Sequence, residues 1–193
     1  MADIESKQQL IIAYETAQAR RLADGVIQKP LLTVWYILIP VIFVFYFYRL
    51  NRYAASRREF VAHIMRSRRS AVEAAAEAVA SGRPPAIDAV MERTSTPREA
   101  RGAFKTYMRV LIEHYMDLFK ARGSDFDALL RSAYRTRSNY LLFLNRLNQV
   151  EKELDKALAP GLVTEHPTVG ETIALIEQQI ARLRRGEAER LFP

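Results

Sequence analysis

The uncharged run LLTVWYILIPVIFVFYFY, from Leu31 to Tyr48, restricts this chain more than any other feature. Arg49, Arg52, Arg57 and Arg58 follow it directly. As a helix rising about 1.5 Å per residue, the run reaches roughly 27 Å, near the thickness of a bilayer hydrocarbon core. Trp35 and Tyr36 stand toward one end, Tyr46 and Tyr48 at the other. Such amphipathic rings favour the headgroup level at both membrane interfaces. A soluble core helix carries a polar stripe, whereas this run is apolar all round. Pro40 removes one backbone donor mid-run and predicts a kink, which membrane helices tolerate.

A cleaved export signal is the competing reading. Its charged leader is short, and its exit is a small-residue cleavage site. Here thirty residues of mixed charge come first, and the exit is rich in arginine, with only Ala54-Ala55-Ser56 imitating a cleavage site. The sequence therefore predicts a permanent single transmembrane helix over 31–48.

The basicity of the chain, net +7 with a pI near 9.8, is local. Residues 1–30 hold four basic and four acidic side chains, and residues 70–193 hold eighteen and seventeen. Residues 49–69 hold seven arginines (Arg49, Arg52, Arg57, Arg58, Arg66, Arg68 and Arg69) against Glu59 alone. A nucleic-acid-binding domain spreads its cations over a folded face. Cations gathered beside an apolar run point first to anionic headgroups. The N-terminal flank offers only Arg20, Arg21 and Lys29. The excess after the run predicts a cytoplasmic C-terminal part and a short translocated N-terminus.

The rest of the chain reads as helix. Residues 4–23 form a loose stripe of Ile4, Ile11, Tyr14 and Leu22, either an interfacial or partner-bound helix or a solvated lead-in, closed at Asp24-Gly25. No breaker follows the span until Ser81-Gly82-Arg83-Pro84-Pro85, so one helix is expected to continue to about residue 80. Its AVEAAAEAVA segment, Ala71 to Ala80, allows close helix approach. A short helix spans 86–93, and Thr96-Pro97-Arg98-Glu99 predicts a capped helix start. That helix carries Phe104, Tyr107, Met108, Leu111, Tyr115, Leu118 and Phe119 and stops at Gly123. Ser124-Asp125 begins a helix expected to run unbroken to Leu158, with a coiled-coil-like seam of Leu130, Ala133, Tyr140, Leu144, Leu147, Leu154 and Leu158 interrupted by Arg137 and Glu151. Pro160-Gly161 is expected to end it, and a last helix places Ile173, Ile176, Ile180 and Leu183 on one face. Period-two alternation is missing, so no sheet is expected. The predicted class is all-α, a single transmembrane helix followed by an antiparallel helical bundle. Its parts are an N-terminal amphipathic or lead-in helix (1–30), the span (31–48), an Arg-rich juxtamembrane helix (49–81) and the bundle domain (86–193).

Motifs for chemistry are missing. The chain has no cysteine, which excludes disulfides, zinc-thiolate sites and a Cys nucleophile. His63, His114 and His166 form no Glu-x-x-His or His-Glu-x-x-His pattern and read as surface or partly buried residues. Phosphate loops and nucleophile elbows are absent. Glu113/Asp117 and Glu151/Asp155 read as solvated helix faces. No catalytic, metal or cofactor residue is expected. The candidate contacts are the belt residues Trp35, Tyr36, Pro40, Tyr46 and Tyr48 and the seven arginines. The sequence predicts a non-catalytic inner-membrane protein, a scaffold or accessory subunit that meets lipid and a protein partner or a second copy. Alternatives are a membrane-tethered regulator binding nucleic acid or an acidic partner through residues 49–69, and a cofactor-binding redox subunit. The basic residues spread around a helix instead of gathering on one face to read nucleic acid, so a lipid or protein partner is preferred.

Overall fold

The computed structural model describes the backbone of residues 2–27, 40–94, 96–163 and 169–193, and side chains within 3–25, 27, 55–94, 96–158 and 176–193. Every regular element among them is helical. In order they are α1 (Ala2–Val26), α2 (Pro40–Ser81), α3 (Ile87–Glu92), a 3-10 turn (Arg98–Ala100), α4 (Arg101–Lys120), α5 (Phe126–Tyr134), α6 (Arg137–Val163) and α7 (Val169–Leu191).

The uninterrupted stretch after the apolar run forms one helix, α2, of 42 residues. It ends where Gly82 takes φ +66°, a left-handed conformation that glycine adopts without Cβ strain. Ala71, Val72, Ala75 and Ala78 on its C-terminal half are buried against α4 and α1. Small side chains there let the helices approach closely. α4 is the central helix, packing against α2 and α6, and its Met108, Leu111, Ile112, Tyr115 and Leu118 are almost wholly buried.

Several helix boundaries differ from the sequence expectation. Thr96 does not cap α4; the chain enters through the 3-10 turn, whose Ala100 N–H donates to Pro97 C=O at 3.0 Å. The expected helix from 125 to 158 is two helices. Arg135 takes φ +63° between them, and Thr136 Oγ1 accepts from the Asn139 N–H at 3.2 Å to start α6. Within the expected start at Ser124-Asp125, it is Asp125 that caps α5, accepting from Ala128 N–H at 2.9 Å. Pro160 and Gly161 do not end α6, which continues to Val163. A proline in the last turn forfeits a single ladder bond, so a helix can run through it for a few residues.

α1 belongs to the same body as the later helices. Ile11, Ala19, Leu22 and Ala23 are buried against α2, α4 and α7. Tyr14 stacks on Phe126 of α5 with ring centroids 3.6 Å apart, and Lys7 Nζ donates to the Phe119 carbonyl at 3.1 Å. One hydrophobic core thus draws on residues from Ile11 to Leu191. Among the described residues, no helix is long and apolar enough to cross a membrane. Residues 31–39 of the expected span lie outside those described, and 40–48 form the first turns of α2.

Candidate functional site

Glu15 sits on the buried stripe of α1, one turn after Ile11 and one before Ala19, and is only 5% exposed. A carboxylate in that position must be matched by partners, because an unpaired buried charge is costly. Arg68 of α2 supplies a guanidinium, Nη1 to Oε2 at 2.5 Å, and the Tyr115 hydroxyl of α4 donates to Oε1 at 2.8 Å. Arg68 also approaches Glu151 of α6 at 3.8 Å. Glu151 in turn accepts two bonds from Arg184 of α7, at 2.6 and 2.8 Å. Four helices are therefore tied by one chain of charges, with Glu15 buried and Arg68, Glu151 and Arg184 half-buried between the helices. Burial works against the Arg68 charge, but Glu15 and its other neighbours hold its pKa well above the ordinary guanidinium value. Burial, then Glu15, pushes the Tyr115 hydroxyl up, so it remains a donor.

This network borders a cavity of about 90 Å³. Its polar wall is Glu15, Gln18, Arg68, Arg184 and Glu187, and its aromatic wall includes Phe126, His114, Tyr140 and Phe143. Gln18 Oε1 is buried there without a hydrogen-bond partner. The Tyr140 hydroxyl donates to Glu187 Oε2 at 2.7 Å. His114 is buried, contrary to a surface or half-buried placement, with its ring stacked on Phe143 at 4.2 Å and Nδ1 2.6 Å from the Tyr134 hydroxyl.

These groups set a pH dependence. Burial, then Arg68 and Arg184, lowers His114 from 6.5 to about 3. Below 6.5 the unfolded chain takes up a proton that the folded chain refuses, so this contribution is lost as pH falls toward 3. Glu187 is raised from 4.5 to about 7 by burial, with Arg190 opposing. Its contribution is fully present below 4.5 and lost as pH rises through 7. The two slopes oppose each other between 4.5 and 6.5. Below 4.5 only His114 of these two groups contributes a slope. In urea titrations between pH 3 and 8, His114→Gln is expected to remove part of the acid limb, and Glu187→Gln part of the loss toward pH 7. Unchanged slopes in both variants would contradict these placements.

A second feature lies outside the core, between α1 and α2. An open groove of about 710 Å³ is lined by Arg20, Arg57, Arg58, Arg66 and Arg69, with Thr16, Val61, Ala62 and Met65 forming the rest of its wall. Arg57 pairs with Asp24. Arg20, Arg58, Arg66 and Arg69 are exposed and enter none of the ion pairs among the described residues.

The structure thus sorts the predicted basic residues. Arg57, Arg58, Arg66 and Arg69 share one groove instead of scattering around the helix, and Arg20 joins them from α1. Arg68 turns the other way, into the core. Arg49 and Arg52 lie on α2 ahead of the groove residues in sequence, as do Pro40, Tyr46 and Tyr48 near its start, whereas Trp35 and Tyr36 are outside the described residues. Glu113 keeps its solvated place, pairing with exposed Arg146, whereas Glu151 is half-buried and pairs with Arg184 of α7 and Arg68 of α2. His63 is exposed, and His166 is outside the described residues. Among the described residues no group of three or more His, Asp or Glu side chains could hold a metal. Comparison with protein families, curated proteins and solved structures found no match.

Proposed function

We propose that this chain is a membrane-anchored, non-catalytic helical scaffold or accessory subunit of a larger assembly, held at the cytoplasmic face of an inner membrane. The observation that carries the reading is α2. Its first turns, Pro40 to Tyr48, are the second half of the apolar run, and its last turns are built into the bundle core. A single helix therefore joins the second half of the apolar run to the body. The arginine groove begins within three turns of that apolar end, where anionic headgroups would meet it. The bundle is free to present its outer faces to a protein partner or a second copy.

Purification of the full-length chain from native membranes in mild detergent is expected to yield a homo-oligomer or a complex with a co-migrating membrane protein. A lone monomer would contradict the scaffold reading. Arg58→Ala, Arg66→Ala and Arg69→Ala together should weaken association with micelles containing phosphatidylglycerol by up to ~100-fold at low salt, at ~1 kcal/mol per arginine. No change would remove the groove from the lipid contact.

The gathering of these arginines in one groove also favours a second reading, a membrane-tethered regulator that binds nucleic acid there. Duplex DNA would then bind the solubilised chain with a steep salt dependence that the same triple substitution abolishes.

A further inference from the structure

We infer that both ends of the apolar stretch emerge on the same face of the membrane, so that the protein engages one leaflet without passing through to the other side. The inference rests on the membrane-anchored reading above and departs from the crossing that the sequence alone suggests.

Three pairs fix how α1 and α2 run. Asp24 pairs with Arg57, Thr16 Oγ1 lies 3.9 Å from Met65 Sδ, and Glu15 bonds Arg68 at 2.5 Å. Positions rise along α1 as they fall along α2, so the helices are antiparallel. Ile27, still bonded to the last turn of α1 through Ala23 C=O at 2.9 Å, is then level with α2 about one turn before Arg57. The chain thus leaves α1 beside the point at which α2 re-enters the bundle. A segment whose two ends stand side by side cannot deliver them to opposite faces of a bilayer.

α1 is not free to leave. Glu15 is the carboxylate that neutralises Arg68 in the interior, and Ile11 and Ala23 are wholly buried. Moving α1 across a membrane would strand Arg68 and open the core.

Two further observations agree. The apolar part of α2, Pro40 to Tyr48, is about 13 Å long, under half of a hydrocarbon core of about 30 Å, so it matches a single leaflet. Charge placement also becomes simpler. Arg20, Arg21 and Lys29 before the run, set against seven arginines after it, make only a moderate asymmetry for a crossing segment. On one face, all of these cations meet the same anionic surface, and Arg20 joins Arg58, Arg66 and Arg69 in one groove.

The native chain has no cysteine, so single-cysteine variants report without background. Ala13→Cys on α1 and Ser138→Cys on α6 are at exposed positions. In full-length chains, both are expected to react with a membrane-impermeant maleimide in inverted vesicles, and neither in right-side-out vesicles until detergent is added. Labelling of the two positions from opposite sides would overturn the inference and leave the anchoring intact. A chain that fails to float with vesicles in a density gradient would overturn the anchoring itself. In floating chains, Arg20→Cys with Ala62→Cys, exposed positions on the α1 and α2 walls of the groove, should be joined within one molecule by a short bis-maleimide. Its failure to join them would also count against the inference.

Discussion

Glu15→Leu is expected to destabilise the protein by about 3–5 kcal/mol, because it leaves Arg68 charged in the interior without its carboxylate. The loss reaches beyond one pair. Tyr115 loses the acceptor of its buried hydroxyl, and Glu151 must share its charge between Arg184 and an orphaned Arg68. The converse change, Arg68→Met, strands Glu15 and should cost a similar amount. Combining the two replaces a buried ion pair with apolar side chains. Such replacements are often neutral or stabilising, so the double variant is expected to recover much of the loss. Urea unfolding of the two single variants and the double variant measures the coupling. Additive losses would show that Glu15 and Arg68 do not act as a pair. Because the pair joins α1 to α2, the same cycle measures how firmly the N-terminal helix is held.

Leu111→Ala is expected to cost about 2–5 kcal/mol, toward the upper part of that range. Leu111 is fully buried on α4 and already borders the interior cavity of about 90 Å³. Truncating it enlarges a void that Glu15, Arg68 and Arg184 of the charge network wall on one side, and the cost rises with residual cavity volume. Leu142→Ala is the matched control. Leu142 is 67% exposed on α6, and its loss should change stability by less than about 0.5 kcal/mol. Equal effects at the two positions would contradict the assignment of α4 as the central helix.

Much of the helix pattern was legible in the sequence because periodicity and breakers are local. The apolar face of α4 can be read directly from Phe104 to Phe119, and the end of α2 from Gly82 to Pro85. Boundaries were missed where competing local signals had to be weighed by the tertiary fold. Thr136 and Asn139 carried a second helix start inside what looked like one long seam. Pro160 looked like a stop that a last helical turn can absorb.

The interior network was harder to read, since its members lie far apart in sequence. One signal was available: Glu15 falls on the stripe of Ile11, Ala19 and Leu22, where a lone acid predicts a buried partner. Which cation answers it depends on the antiparallel register of α1 and α2, and nothing local specifies that register. The groove was missed for the same reason. Arg58, Arg66 and Arg69 can be placed on a helical wheel, but Arg20 joins them only once α1 is docked.

The central claim is that the apolar run at the head of α2 anchors this body to a membrane. Alkaline carbonate extraction of native membranes tests it most directly. The full-length chain is predicted to remain with the sedimented membranes, as integrally held proteins do. Quantitative release into the supernatant would contradict the account.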